Sequence, residues 1–215
     1  MKSQFPEKAY ETLFNHELIN KGYILYVPSQ VKEEHSGYDV LINNLKTRRF
    51  KALALQYKIV DEYSRIPYPF SKPCFRFDLH KSSKGYKQHN TMVKRNISPH
   101  SVIKACYCVP MFVDYPSLYN YSQSDTLMRH SRLLCPISKI NDTKYHQVKF
   151  DSTKALQYST EPSQIVAKTF ESLFETEKFL SYEQLLVQFE APIDTEDNLD
   201  RFLMENEMYL LIKPE

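Results

Sequence analysis

The sequence predicts an α/β fold: a mixed β-sheet flanked by helices, with a mostly helical C-terminal extension. Three observations carry this. Residues 6–21 place Tyr10, Leu13, Phe14 and Leu18 at helical spacing. Apolar runs follow at 38–43 and 50–59, and Cys74 to His80 alternates Phe75 and Phe77 with Arg76 and Asp78, the period of a half-buried strand. A helical stretch at 88–96 then separates these strands from another at Lys104–Val109. Hairpin strands followed by a helical crossover make a mixed sheet.

Each element has a local reason. Pro6 suits the first turn of the first helix, and Gly22 stops it just past Lys21. Tyr23–Val27 reads as a strand ended by Pro28, and 29–36 as a polar loop. Asn44 to Arg49 joins the strands at 38–43 and 50–59 as a hairpin turn. Pro67, Pro69 and Pro73 make 61–73 an irregular connection. Lys81 to Lys87 is a basic loop before the second helix. Pro116 and the aromatic positions of 111–124 predict a loop or lid, and 125–140 a helical start. Tyr145–Phe150 is a strand. Residues 162–178 and 181–190 carry amphipathic helical patterns, with Ser163 and Ser181 as caps and Pro192 as a stop. A helix near 195–206 and a strand at 208–212 complete the chain. The expected organisation is an α/β domain at 1–150 with a helical extension at 151–215 packed on it.

Composition narrows the function. The chain has 215 residues, 42% hydrophobic and 25% charged, enough for a packed core and unlike a disordered chain. No run of apolar residues is long enough to cross a membrane. Only Gly22, Gly37 and Gly85 are glycines, which excludes the glycine-rich phosphate loops of dinucleotide-binding proteins and P-loop NTPases. Net charge is +2, so any nucleic-acid contact must come from a local basic surface. The N-terminus lacks the apolar segment of a secretory signal. Cys74, Cys106, Cys108 and Cys135 are scattered and read as reduced core thiols. The expected compartment is the cytoplasm.

The chemistry concentrates in Asp39, at the start of one strand, and in Gln56-Tyr57-Lys58, at the end of the next. Gln56 and Lys58 are two residues apart, so their side chains share one face. Magnesium takes oxygen ligands and keeps several waters, so a carboxylate and an amide oxygen suffice to hold it. A nearby ammonium stabilises the charge that develops on a phosphate. Each residue also has a plainer role, Asp39 as a turn residue and Lys58 as a solvated strand end.

Together these residues resemble the core of the PD-(D/E)xK, or restriction-endonuclease-like, nuclease superfamily, in the variant where glutamine replaces the second acid. The likeness spans about residues 5–112. It implies a nuclease that hydrolyses nucleic acid, DNA being the expected substrate, with Mg²⁺ or Mn²⁺ as cofactor. Asp39 and Gln56 become metal ligands and Lys58 the group that activates water and stabilises the transition state. The first helix of many members supplies a glutamate. Glu11 is the best match here, with Glu7 and Glu17 as rivals, and a solvated helix face is the plain alternative for all three. Pro28-Ser29-Gln30, Glu34 and Gly37-Tyr38 also resemble the lead-in of such proteins.

A basic cluster of Lys81, Lys84, Lys87, Lys94 and Arg95 follows the core strands and can contact phosphates. Gln88 and Asn90 between them can orient a phosphate or serve the helix itself. The alternative function is a catalytically degenerate module of the same fold that binds nucleic acid or a protein, as in defence or mobile-element systems. Cutting both strands of a duplex would favour a homodimer, and the acidic C-terminal helices offer a surface for a protein partner.

Overall fold

The computed structural model describes residues 1–26, 50–65, 67–79, 83–98, 103–140, 145–158, 162–176 and 209–214. The expected strand at 38–43, its hairpin turn and the expected helices at 181–190 and 195–206 lie outside these residues, as do Asp39, Glu34 and Lys81.

Helix α1 spans Glu7–Asn20 with Pro6 at its N-cap, close to expectation. Its end is built by Gly22, whose φ of +80° suits a residue without Cβ. There Gly22 N–H donates to Ile19 O at 2.9 Å and Tyr23 N–H to Leu18 O at 3.1 Å, the two bonds of a Schellman stop. Ten strands then form one sheet among the described residues. They are β1 (Ile24–Tyr26), β2 (Phe50–Tyr57), β3 (Asp61–Glu62), β4 (Phe75–Leu79), β5 (Ile103–Pro110), β6 (Ser131–Pro136), β7 (His146–Phe150), β8 (Ala155–Tyr158), β9 (Ser163–Lys168) and β10 (Tyr209–Pro214). The order across the sheet is β1-β10-β2-β5-β6-β9-β8-β7-β4-β3. Helices α2 (Ser83–Ile97), α3 (Tyr115–Gln123) and α4 (Phe170–Thr176) complete the described elements.

The class expected from the sequence, α/β with a mixed sheet, is observed. β2 and β5 are parallel, while every other strand pair is antiparallel. α2 lies on the crossover between β4 and β5, as the helical stretch at 88–96 predicts, although it begins five residues earlier, at Ser83.

Several expectations are corrected. The stretch 111–124 is not a loop: Pro116 stands in the first turn of α3, and Asp114 caps it by accepting from Ser117 N–H at 2.8 Å. Proline at that place starts a helix, because its missing N–H would have no intrahelical partner there. The helical start expected over 125–140 is a turn leading into β6. The helix expected from 162 is a strand as far as Lys168, so Ser163 opens β9 and caps nothing. Helix α4 begins instead behind Thr169, where Ser172 N–H donates to Thr169 Oγ1 at 3.1 Å and Thr169 N–H to Ser172 Oγ at 3.2 Å, a reciprocal cap. Residues 151–215 therefore contribute β8, β9 and β10 to the sheet itself, where a helical extension was expected.

The sheet curls. Phe77 of β4 meets Tyr107 of β5 edge to face at 5.1 Å between ring centroids, although four strands separate β4 from β5 in the sheet order. Alternation along each strand divides the core in two. Ala52, Ala54, Ala105, Tyr107 and Val109 face inward with Phe75, Phe77, Val148 and Phe150, and Met92 of α2 packs among them. Leu53, Leu55, Tyr57, Cys106 and Cys108 face outward and are covered by α1, α3 and α4 through Tyr10, Phe14, Leu118, Phe170 and Leu173. Burying both faces of β2 and β5 supplies the main apolar stabilisation of the fold.

Cysteine chemistry also departs from expectation. Register pairs Tyr107 with Leu134, which sets Cys106 directly across from Cys135. The two form a disulfide with Cα atoms 4.3 Å apart. Cys74 and Cys108 are free and buried, as core thiols should be.

Candidate functional site

Gln56 stands on the same face of β2 as Ala52 and Ala54. α2 packs over the neighbouring β5 and β6 on that side of the sheet, and the amide meets Gln88 there: Gln56 Nε2 donates to Gln88 Oε1 at 3.1 Å. Both glutamines are buried, at 2% and 7% exposure. With its nitrogen committed, the Gln56 amide has its oxygen left to offer. Lys58 follows just past the strand end, where its backbone N–H still donates to Cys108 O at 3.1 Å. Its ammonium lies 3.7 Å from the Glu7 carboxylate, and the lysine side chain is only 16% exposed.

These groups open onto one cleft of about 430 Å³ between the end of β2, the first turn of α1, α2 and the polar side of β4. Its walls include Gln56, Gln88, Lys58 and Glu7, together with Asp61, Arg76 and Asp78. Phe77, Leu79 and Tyr107 form its apolar side. Charges are mixed and partly paired. Arg76 lies 3.8 Å from Asp61 and its guanidinium rests over the Tyr63 ring at 5.0 Å. Asp78 accepts from Gln147 Nε2 at 2.8 Å. The Tyr63 hydroxyl raises the Arg76 pKa most, ahead of Asp61 and Asp78.

Beneath the cleft lies a neutral polar layer. His89 Nε2 donates to Ser138 O at 2.9 Å, because a carbonyl can only accept, so Nδ1 accepts the Tyr107 hydroxyl at 3.0 Å. Burial lowers the His89 pKa to about 4 and pushes the Tyr107 hydroxyl far up. Neither group carries charge near neutral pH.

The residues singled out from sequence thus separate. Gln56 and Lys58 do share a face and a cleft. Asp39 lies outside the described residues, and the place beside β2 where its strand was expected to pair is held by β10, from Tyr209↔Leu55 to Pro214↔Phe50. The other edge of β2 is held by β5. Both edges of β2 are thus held by longer-range ladders among the described residues. Among the three candidate glutamates, the cleft takes Glu7 and not Glu11. Glu11 is buried one turn farther along α1 and pairs with Lys8. Glu17 pairs with Lys21 at 3.3 Å and accepts Met128 N–H, also at 3.3 Å. Its place is structural.

In the basic cluster, Lys84 and Lys87 fall within α2, Lys94 is exposed and Arg95 half-buried in its last turns. Neither Lys94 nor Arg95 is among the cleft walls. Asn90 clamps Ile140 from both sides, donating to its carbonyl and accepting its N–H at 2.8 Å each, and is likewise structural. Asp61, Arg76 and Asp78 were not anticipated at the site, and Glu7 was expected there only as a rival to Glu11. The alternation of Arg76 and Asp78 with buried phenylalanines signalled a polar strand face, but not what that face adjoins.

The donor chemistry suits a hard cation in part. Gln56 offers an oxygen, and carboxylates stand in the same cleft. Yet no group of three His, Cys, Asp or Glu side chains converges as a metal cluster among the described residues. Comparison with family models, with curated proteins and with solved structures found no match. No described helix is long and apolar enough to cross a membrane.

Proposed function

We propose that this cleft binds a phosphodiester of nucleic acid and that the protein is a metal-dependent nuclease of the glutamine-containing PD-(D/E)xK kind. The observation that carries this is the meeting of Gln56 and Lys58 with Glu7, Asp61 and Arg76 in one cleft. Asp39 and Gln56 would hold Mg²⁺ or Mn²⁺, and the ion would polarise the phosphate and supply an activated water. Gln88 fixes the rotamer of Gln56 so that its oxygen is the free end. Lys58, largely withdrawn from solvent, stabilises negative charge more strongly than an exposed lysine does. Arg76 adds a second cation on the β4 side. Phe77 and Tyr107 exclude water from the floor.

Cleavage of labelled DNA and RNA, single- and double-stranded, tests the proposal. Activity should require Mg²⁺ or Mn²⁺, and Lys58→Ala should lower it by about 10²-fold, the order seen when one transition-state donor is removed. Asp39→Ala should abolish it. A Lys58→Ala protein that cuts like wild type sinks the mechanism.

One observation favours a second function, a module that binds without cutting. β10 occupies the edge of β2 that the Asp39 strand was expected to share. Calorimetry with Mn²⁺ separates the two: heat of binding supports the nuclease, while nucleic-acid binding without any metal heat supports the module.

A further inference from the structure

We infer that Gln88 is the neutral donor of a phosphodiester subsite, and that a phosphoryl oxygen completes a hydrogen bond the fold leaves unmade. Gln88 is more than nine-tenths buried and lines the cleft. Its Oε1 is used by Gln56, while its Nε2 has no hydrogen-bond partner. Buried amide groups are almost always satisfied, so an orphan nitrogen on a cleft-lining residue points to a missing ligand, which a small turn of the side chain brings within reach. Asn90, two residues on, shows the contrast, since both ends of its amide are taken by Ile140.

The chemistry of the ligand follows from the neighbours. An amide N–H needs an acceptor and disfavours a cation. Lys58 and Arg76 in the same walls favour a negative charge. Glu7, Asp61 and Asp78 oppose a high one, and each cation already faces a carboxylate. A singly charged diester suits this balance better than a doubly charged phosphate monoester or free phosphate. Its two ester arms also give the chain a way into and out of an open cleft.

This inference rests on the cleft being the phosphate site proposed above, so its test avoids both metal and turnover. The probes are the dinucleotide thymidylyl-(3′,5′)-thymidine and inorganic phosphate, titrated in chelator and followed by calorimetry and thermal melting. Wild type should bind the dinucleotide at least tenfold more tightly than phosphate. Gln88→Met fills the same space without a donor but also takes the acceptor from Gln56 Nε2, so it should melt somewhat lower than wild type, stay folded at the assay temperature, and bind the dinucleotide at least tenfold more weakly. Gln88→Glu should weaken binding further. Unchanged dinucleotide affinity in Gln88→Met overturns the inference, as does tighter binding of phosphate than of the diester. Absence of metal-free binding by wild type overturns it too, and leaves metal-dependent cleavage to be judged by its own assay.

Discussion

Asn96 and Ala105 bond each other twice. The Asn96 amide donates to the Ala105 carbonyl at 2.7 Å and accepts the Ala105 N–H at 2.9 Å. The same nitrogen reaches the Pro136 carbonyl at 2.9 Å. The ladder between β5 and β6 runs only from Tyr107 to Pro110, so Asn96 pairs backbone groups that the ladder leaves. It thereby fixes the end of α2 to both strands, and with it the position of Gln88 over Gln56. Asn96→Leu should cost about 3 kcal/mol, at roughly 1 kcal/mol for each lost bond. Urea unfolding measures this, and a loss below about 1 kcal/mol would show that water or a neighbour replaces the amide.

His89 gives the fold a pH dependence of known sign. Burial is the main cause that takes its pKa from 6.5 to about 4; the nearby His146 adds to the lowering, and the Ser138 bond opposes it. The unfolded chain therefore holds more protons between those values. Stability should be full above about pH 6.5, decline as pH falls toward 4, and level off below. The amount is on the order of 3 kcal/mol. Asp151, held below the usual carboxylate range by N–H donors from Ser71, Thr153 and Lys154 against the opposing effect of burial, loses its contribution only at lower pH. Denaturant titrations at pH 7 and pH 4.5 should differ clearly in wild type and much less in His89→Gln. Equal slopes in the two proteins would remove His89 as the cause.

Glu7 and Glu11 should behave differently. Glu7 opposes Lys58 across 3.7 Å, so Glu7→Gln releases the ammonium for an anionic ligand. Dinucleotide binding should strengthen by up to about fivefold, the range of a partly exposed ion pair. Glu11→Gln, altered where the side chain meets Lys8, should leave affinity unchanged. Affinity that responds to Glu11 and ignores Glu7 would contradict the arrangement of α1 at the cleft.

Thiol chemistry offers a further check. Burial raises the Cys74 thiol to about 11 and that of Cys108 higher still, so neither should react with iodoacetamide in the folded protein. Unfolding without reductant should expose two reactive thiols, and unfolding with reductant four. Breaking the Cys106–Cys135 bond, which closes a loop with a sequence separation of 29, should lower stability by about 3.6 kcal/mol on the chain-entropy account. Four reactive thiols in unreduced protein would show the bond to be absent in solution.

What could be read from sequence was set by range. The shared face of Gln56 and Lys58 was legible because alternation along one strand needs no knowledge of its neighbours. Helix α1 was legible for the same reason, with its proline start and glycine stop. Which glutamate of α1 reaches the cleft was not, since Glu7 and Glu11 share a helix face and only the docking angle of α1 decides. The meeting of Gln56 with Gln88 depends on how α2 lies over β5 and β6 beside β2. The helix expected from 162 failed because Ile165, Val166 and Phe170 straddle a strand and a short helix whose combined apolar pattern mimics one longer helix. The nuclease resemblance, carried by Asp39, Gln56 and Lys58, leads to an assay; the place of β10 beside β2 could not be foreseen from either segment.

That place has a consequence for assembly. Phe50–Leu55 finds a partner 154 to 164 positions away along the chain, so the wall bearing Gln56 and Lys58 gains its second neighbour only after a large loop has closed. Until then β2 presents a bare row of amides and carbonyls, an invitation to pair with another molecule. A protein clipped ahead of Tyr209 should accordingly clump rather than merely lose its ligand.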